Sequence, residues 1–151
     1  MPIPTIRVQR GTFDAAAESA ALAAGRTDIG AIVTFTGLCR DEGGRLARLD
    51  LEHYPDMAEA EIGRVAEEAL RRWPLLGVTI VHRYGPIRPG EAIVLVVTAS
   101  SHRVAAFEAA EFLMDYLKSN APFWKKERLV EGTDGGWVDA KREDQDALVR
   151  W

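Results

Sequence analysis

The chain has 151 residues, 47% of them apolar and 28% charged, with a net charge of -4 and a pI near 5.4. That length suits one domain over 1–151 with a usable core, and the acidic balance argues against a nucleic-acid binder, which would carry a broad basic face. No apolar run reaches the roughly 18 residues that suggest a membrane span, and the one cysteine, Cys39, excludes an internal disulfide and a cysteine-built zinc cage. The start, MPIPTIRVQRG, lacks the apolar core of a secretory signal, so the cytoplasm is the expected compartment.

Ile6 to Gln9 alternates like a short strand. Thr12 is placed to cap a helix over 13–24, which Gly25 stops. Residues 30–36 (GAIVTFT) are apolar and β-branched, which predicts a buried strand. A loop over 37–44 follows, then an alternating strand over 46–54, expected to pair with the first across the loop. Asp56 suits the N-cap of a helix over 57–73, with Ala58, Ile62, Val65, Ala69 and Leu70 at helical spacing and Pro74 as its stop.

Residues 78–84 predict another strand, ending in a Gly85-Pro86 and Pro89-Gly90 turn region. The run AIVLVVTA at 92–99 is the most apolar and is expected at the centre of a sheet. A helix over 103–118 follows, and Pro122 disfavours its continuation through Ala121. A last strand over 136–140 and a short polar helix over 142–150 complete an α+β pattern of intermixed strands and helices.

Three stretches carry candidate chemistry. In TASSHR, His102 and Arg103 open a helix whose first amides are unpaired and whose end is electropositive. Cations there oppose helix stability, so either an anion sits over this end or the pair is an ordinary first turn. In FTGLCR, Gly37 lets the backbone at Leu38 and Cys39 approach a ligand, and Arg40 suits two-point recognition of phosphate or carboxylate. The alternatives are a plain loop arginine and a small apolar cysteine; a thiolate nucleophile is the less favoured reading of Cys39.

In LKSNAPFWKKE and the Arg128 that follows it, Lys118, Lys125, Lys126 and Arg128 crowd around Phe123 and Trp124, with Glu127 the only acid among them. Like charge and an apolar wall both disfavour the ammonium form, which suits a base or nucleophile. Lys118 also fits the C-terminal end of a helix simply as a favourable cation. His53 and His82 fall within strand patterns and are read as structural. No metal-ligand spacing, P-loop or dinucleotide fingerprint occurs.

The segments GAIVTFTGLCR, LEHYPDMAEAEI, VHRYGPIRPGE, SSHRVAAFEAAEFLMDYLK and APFWKKE occur in this order. Together they resemble the catalytic large subunits of molybdopterin synthase, the MoaE family, over about residues 30–151. The resemblance implies an α/β-hammerhead fold and a homodimer within a heterotetramer, each large subunit binding a small ubiquitin-like sulfur carrier.

It implies insertion of two sulfurs, carried as thiocarboxylate on the carrier's C-terminal glycine, into cyclic pyranopterin monophosphate. The lysine matching Lys118 is then central, with Lys125 in support. Leu38, Cys39, Arg40, His102, Arg103, Lys126, Glu127 and Lys141 fall at substrate-site positions, and the pocket draws on the partner protomer. No metal, flavin or other cofactor is implied. The chain departs from the pattern at Asn120, at Lys141 where an arginine is common, and at Leu38-Cys39. The competing reading is a non-catalytic module that docks a ubiquitin-like tail; a phosphoryl-transfer enzyme using His102 lacks acidic residues placed to hold a metal.

Overall fold

The computed structural model describes residues 1–151 except 42, 121, 133, 139, 140 and 150, and all described side chains except those of residues 55 and 142. The elements in chain order are β1 (Thr5–Gln9), α1 (Ala15–Ala23), β2 (Ala31–Leu38), β3 (Leu46–His53), α2 (Pro55–Arg72), β4 (Leu75–Arg83), β5 (Gly85–Ile87), β6 (Ala92–Ser100), α3 (Arg103–Asn120), β7 (Phe123–Leu129), β8 (Asp134–Val138) and α4 (Arg142–Val149). This is the expected α+β class. The strands form two four-stranded sheets, ordered β1-β4-β6-β2 and β5-β3-β7-β8.

The first sheet is the apolar scaffold. β4 and β6 lie inside it and pair antiparallel, and β1 joins β4 in parallel at one edge. Both faces of the sheet are covered, which explains why β6 reads as an unbroken apolar run. One face packs Ile80, Val94 and Val96 against Ile62 and Val65 of α2 and Leu113 and Leu117 of α3. The other buries Val81, Leu95 and Val97 beneath Phe13 and Leu22 of the α1 region. At about 25 cal/mol per Å2 of apolar surface, each such side chain contributes about 1.5–3 kcal/mol.

The expected pairing of β2 with β3 does not occur. β2 pairs with β6, and β3 pairs with β5 and β7 in the second sheet. The connection between β2 and β3 is therefore a crossing between sheets, not a hairpin. Hydrophobic alternation identifies a strand but carries no partner label. The stretch after α3, expected only as a lysine-rich wall, is the strand β7, and part of the turn region is the short strand β5.

Two helix starts also differ from expectation. Asp14, not Thr12, caps α1, its side chain accepting from the Ala17 amide at 3.1 Å, a contact of the kind that contributes about 1 kcal/mol. α2 begins at Pro55 after Tyr54, with no side-chain cap and with Asp56 in its first turn. Proline is suited to that position because its missing N–H would have been unpaired there.

Gly30 shows why β2 can start beside α3. Its amide donates to the Ser100 carbonyl at 3.0 Å, and a Cβ at this position would lie 2.1 Å from the Ser101 carbonyl oxygen. Any side chain would force the strand away.

Candidate active site

α3 separates the candidate residues into two groups. It follows β6 after a two-residue link and returns across β6 and β2. The Thr98 hydroxyl, late in β6, donates to the Ala106 carbonyl early in α3 at 2.7 Å, which fixes that reversal. His102 and Arg103 therefore sit beside the start of β2, where Ala31 pairs with Ser100. An 18-residue helix spans about 27 Å. Lys118, in the last turn, lies at the opposite end of the sheet.

Leu38, Cys39 and Arg40 share the Lys118 end, because Leu38 pairs with Ala92 and the Cys39 amide donates to the Glu91 carbonyl at 2.8 Å. Within one chain His102 and Arg103 do not join them. At their own end, both are exposed, and the Ser100 hydroxyl lies 3.5 Å from the His102 amide while donating to the Pro74 carbonyl at 2.9 Å.

β7 sorts the lysines by face. It pairs antiparallel with β3, setting Leu51 opposite Lys125 and Asp50 opposite Lys126. Successive side chains on a strand point to opposite sides. Lys125 and Glu127 thus share the inner face with Leu49 and Leu51. Lys126 points outward, where it pairs with Asp134 at 2.7 Å and sits 5.3 Å from the Trp137 ring centroid. Lys126 and Lys125 are sequence neighbours but belong to different surfaces.

The electrostatics centre on Lys125. Burial lowers its pKa from the ordinary lysine value, and the positive charges of Lys118 and Lys141 lower it further, while Asp144 opposes them. Lys118 is exposed at the helix end, with Lys125 half-buried near it. A lysine whose proton is destabilised by burial and like charge is suited to proton transfer or nucleophilic attack, and a lysine pair is suited to neutralising an anion.

α4 brings Lys141 and Asp144 here because it is anchored on α3. The Trp151 ring packs edge-on against Trp73 and Phe112, and its Nε1 donates to Asp115 at 2.5 Å.

The aromatic anchor of β7 was not legible beforehand. Phe123 stacks on His82 of β4 with centroids 3.8 Å apart and planes 11° apart. His53 of β3 stacks on the same Phe123 ring with centroids 5.8 Å apart and lies 4.3 Å from the Tyr84 ring. This column ties the two sheets together two residues before Lys125. His82 is 4% exposed, and burial pushes its pKa down to about 4; the Arg83 carbonyl 2.9 Å from Nδ1 opposes this, and the charges of Lys125 and His53 add to it. It is a neutral packing ring at ordinary pH.

Cys39 is 2% exposed, packed with Leu51 and Ile87. Burial raises its thiol pKa, and Asp41, Glu91 and Glu127 raise it further. That is the reverse of an activated thiolate, so Cys39 is an apolar packing residue between the sheets. Leu38 beside it is exposed at 59% and available to a ligand.

One end of the fold thus gathers Leu38, Cys39, Arg40, Lys118, Lys125, Glu127 and Lys141, leaving Lys126 on the outer face and His102 with Arg103 at the far end. Sequence reasoning missed Asp144 and the His82–Phe123 stack. Alternation along FWKKE could have separated Lys125 from Lys126. No local signal marks Asp144, whose position depends on how α4 docks. Among the described residues no cluster of three or more His, Cys, Asp or Glu side chains is arranged to hold a metal, and no helix is long and apolar enough to cross a membrane.

Comparison with known proteins bears on this arrangement. Residues 8–120 match the family described as MoaE protein. A relative from Mesorhizobium japonicum, named molybdopterin synthase catalytic subunit, is 68% identical over 148 residues, covering 98% of this chain and 93% of its own. Among solved structures, the molybdopterin biosynthesis MoaE protein of Burkholderia ambifaria superposes with a TM-score of 0.84 at 50% identity, covering 98% of this chain and 97% of that one. Molybdopterin synthase from Staphylococcus aureus gives a TM-score of 0.77 at 29% identity, covering 91% and 98%. With the match spanning most of the chain and the fold agreeing from end to end, this chain belongs to the MoaE protein family.

Proposed function

We propose that this chain is the catalytic subunit of a molybdopterin synthase, which inserts two sulfurs from a thiocarboxylated carrier into cyclic pyranopterin monophosphate. The observation that carries the reading is the Lys118–Lys125 pair: one exposed and one half-buried lysine, close enough for the charge of one to lower the proton affinity of the other. The relatives' shared name, which describes a catalytic subunit, supports it and also favours a companion subunit.

The chemistry has two negative reactants, the thiocarboxylate and the substrate phosphate. Ammonium groups reduce their mutual repulsion. Each transfer is a net exchange of sulfur for oxygen with no redox change. The carrier's C–S bond is replaced by a C–O bond, leaving its C-terminus a carboxylate, and a C–O bond on the pterin side chain is replaced by a C–S bond, water balancing the oxygen and protons. Lys118 is the residue at the reacting atoms, as a proton carrier or through a transient covalent adduct. Lys125 supports it, its own proton affinity lowered by burial and by the charge of Lys118. Arg40 and Leu38 at the same end are positioned for the substrate, whereas the thiol of Cys39 is too buried and too weakly acidic to deliver sulfur.

His102 and Arg103 require a second copy. About 22 Å of helix separates Arg103 from Lys118 within one chain. In a homodimer whose two-fold axis sets the start of one α3 near the end of the other, the partner's His102 and Arg103 reach the phosphate. A helix N-terminus with free amides adds to that contact.

The test is an assay with thiocarboxylated carrier and cyclic pyranopterin monophosphate, read as molybdopterin formed. Lys118→Ala is expected to abolish product while leaving carrier binding within about twofold. Product surviving in Lys118→Ala but lost in Cys39→Ala overturns the assignment. A wild-type chain that binds carrier and forms no product identifies instead a non-catalytic module for a ubiquitin-like tail.

A further inference from the structure

A cavity of about 710 Å3 contains none of the candidate site residues and is lined by Arg10, Arg48, Arg83 and Arg88 with Asp50 and Glu91. Its arginines come from four places in the chain: the end of β1, β3, the end of β4 and the turn after β5. Arg48 and Asp50 share the outer face of the second sheet with Lys126, so the cavity opens on the side away from Lys125.

Arg83 is the unusual member. It is 7% exposed, and its Nε and Nη1 donate to the Arg10 carbonyl at 3.1 Å and the Ala92 carbonyl at 2.9 Å. Those carbonyls supply dipoles but no negative charge. Among the described residues Arg83, Arg10 and Arg88 form no ion pair. Of the two carboxylates, Asp50 is ion-paired with Arg48 at 2.8 Å and Arg128 at 3.1 Å, while Glu91 accepts from the neutral Arg88 amide at 2.6 Å and keeps its charge, so the lining holds four cations against two anions. A buried guanidinium with no ion-pair partner is costly, and here it shares a cavity of net positive charge with Arg10 and Arg88, in a chain whose net charge is -4.

We propose that this cavity binds a small oxyanion carrying two or more acidic groups, with Arg83 as the buried contact and Arg10 and Arg88 closing on it from the rim. Guanidinium groups suit planar oxygen pairs on phosphate and carboxylate alike, and the volume falls within the range of small-molecule sites. This is separate from the sulfur-transfer reading, because no residue is shared.

Calorimetric titration of the intact chain at low ionic strength, with inorganic pyrophosphate and with citrate as probes, tests it. At least one probe is expected to bind saturably, and the stronger of the two identifies phosphate or carboxylate as the preferred group. Arg83→Gln endangers the fold through its two carbonyl bonds, so the exposed Arg10 and Arg88 carry the test. The Arg10→Gln/Arg88→Gln double variant is expected to bind at least about tenfold more weakly with an unchanged Tm, while Lys118→Ala binds within about twofold of wild type. Absence of binding by both probes, binding that survives the double variant, or binding lost in Lys118→Ala overturns the proposal.

Discussion

The two sheets share one chain and use opposite design rules. In β4 and β6 both faces are covered, nearly every side chain is buried, and the strands are apolar throughout. In β3 and β7 the faces differ: Leu49 and Leu51 turn inward, while Arg48, Asp50, Lys126 and Arg128 turn outward into ion pairs. The first sheet supplies stability and holds α3 straight across its face. The second supplies charge, and its alternation decides that Lys125 turns inward with Leu49 and Leu51 while Lys126 turns outward. Changes in the first should act on stability, and changes in the second on chemistry or proton affinity.

The largest stability effect is expected in the first sheet. Ile80 is 1% exposed in β4, and Ile80→Ala should cost about 2–5 kcal/mol by urea denaturation. A cost below about 1 kcal/mol would show that this sheet is not the scaffold.

His82 joins the two sheets and should make stability pH-dependent. Its folded pKa is about 4 against an ordinary 6.5. Below pH 6.5 the unfolded chain takes up this proton and the folded chain does not. Stability should therefore fall as pH drops from about 6.5 towards 4 and level below that, with a ceiling of about 3 kcal/mol. Above pH 6.5 the group contributes no slope. His82→Phe, which keeps a ring against Phe123, should flatten that part of the curve; an unchanged slope would assign it to other groups.

In the second sheet the comparison sharpens on Lys125. Removing the neighbouring charge in Lys118→Ala should raise the Lys125 pKa, which burial still keeps below the ordinary lysine value. NMR titration of labelled lysine reads this directly. No change would mean that the two ammonium groups are not neighbours. The smallest effect is expected on the outer face, where Arg128→Gln removes a partly exposed pair with Asp50 and should cost under about 1 kcal/mol in thermal unfolding.

The elements themselves were largely legible. The run AIVLVVTA announced an interior strand, and β6 does lie between two neighbours in its sheet. The periodicity of 57–73 announced α2 to within two residues at each end. The strand β7 was hidden because Pro122, Lys125 and Lys126 read as a loop or wall. Its β structure follows from pairing with β3, a partner 70 or more residues away. The pairing of β2 was misjudged for the same reason: nearness in sequence favours a hairpin, but burial of both faces of β6 demanded another strand at its side.

What the residues alone determined was the inventory: an α+β pattern, the apolar strands, the two long helices, and a set of basic side chains suited to anions. Those properties are local, set by periodicity, propensity and side-chain chemistry over a few turns or strand lengths. Only the tertiary structure decided which of those cations share a surface. Whether Lys125 meets Lys118, whether Lys126 turns away, and whether His102 lies a whole helix apart from both depend on strand register and on the direction of α3. Register and direction come from burying apolar area between distant segments, and no local pattern encodes that.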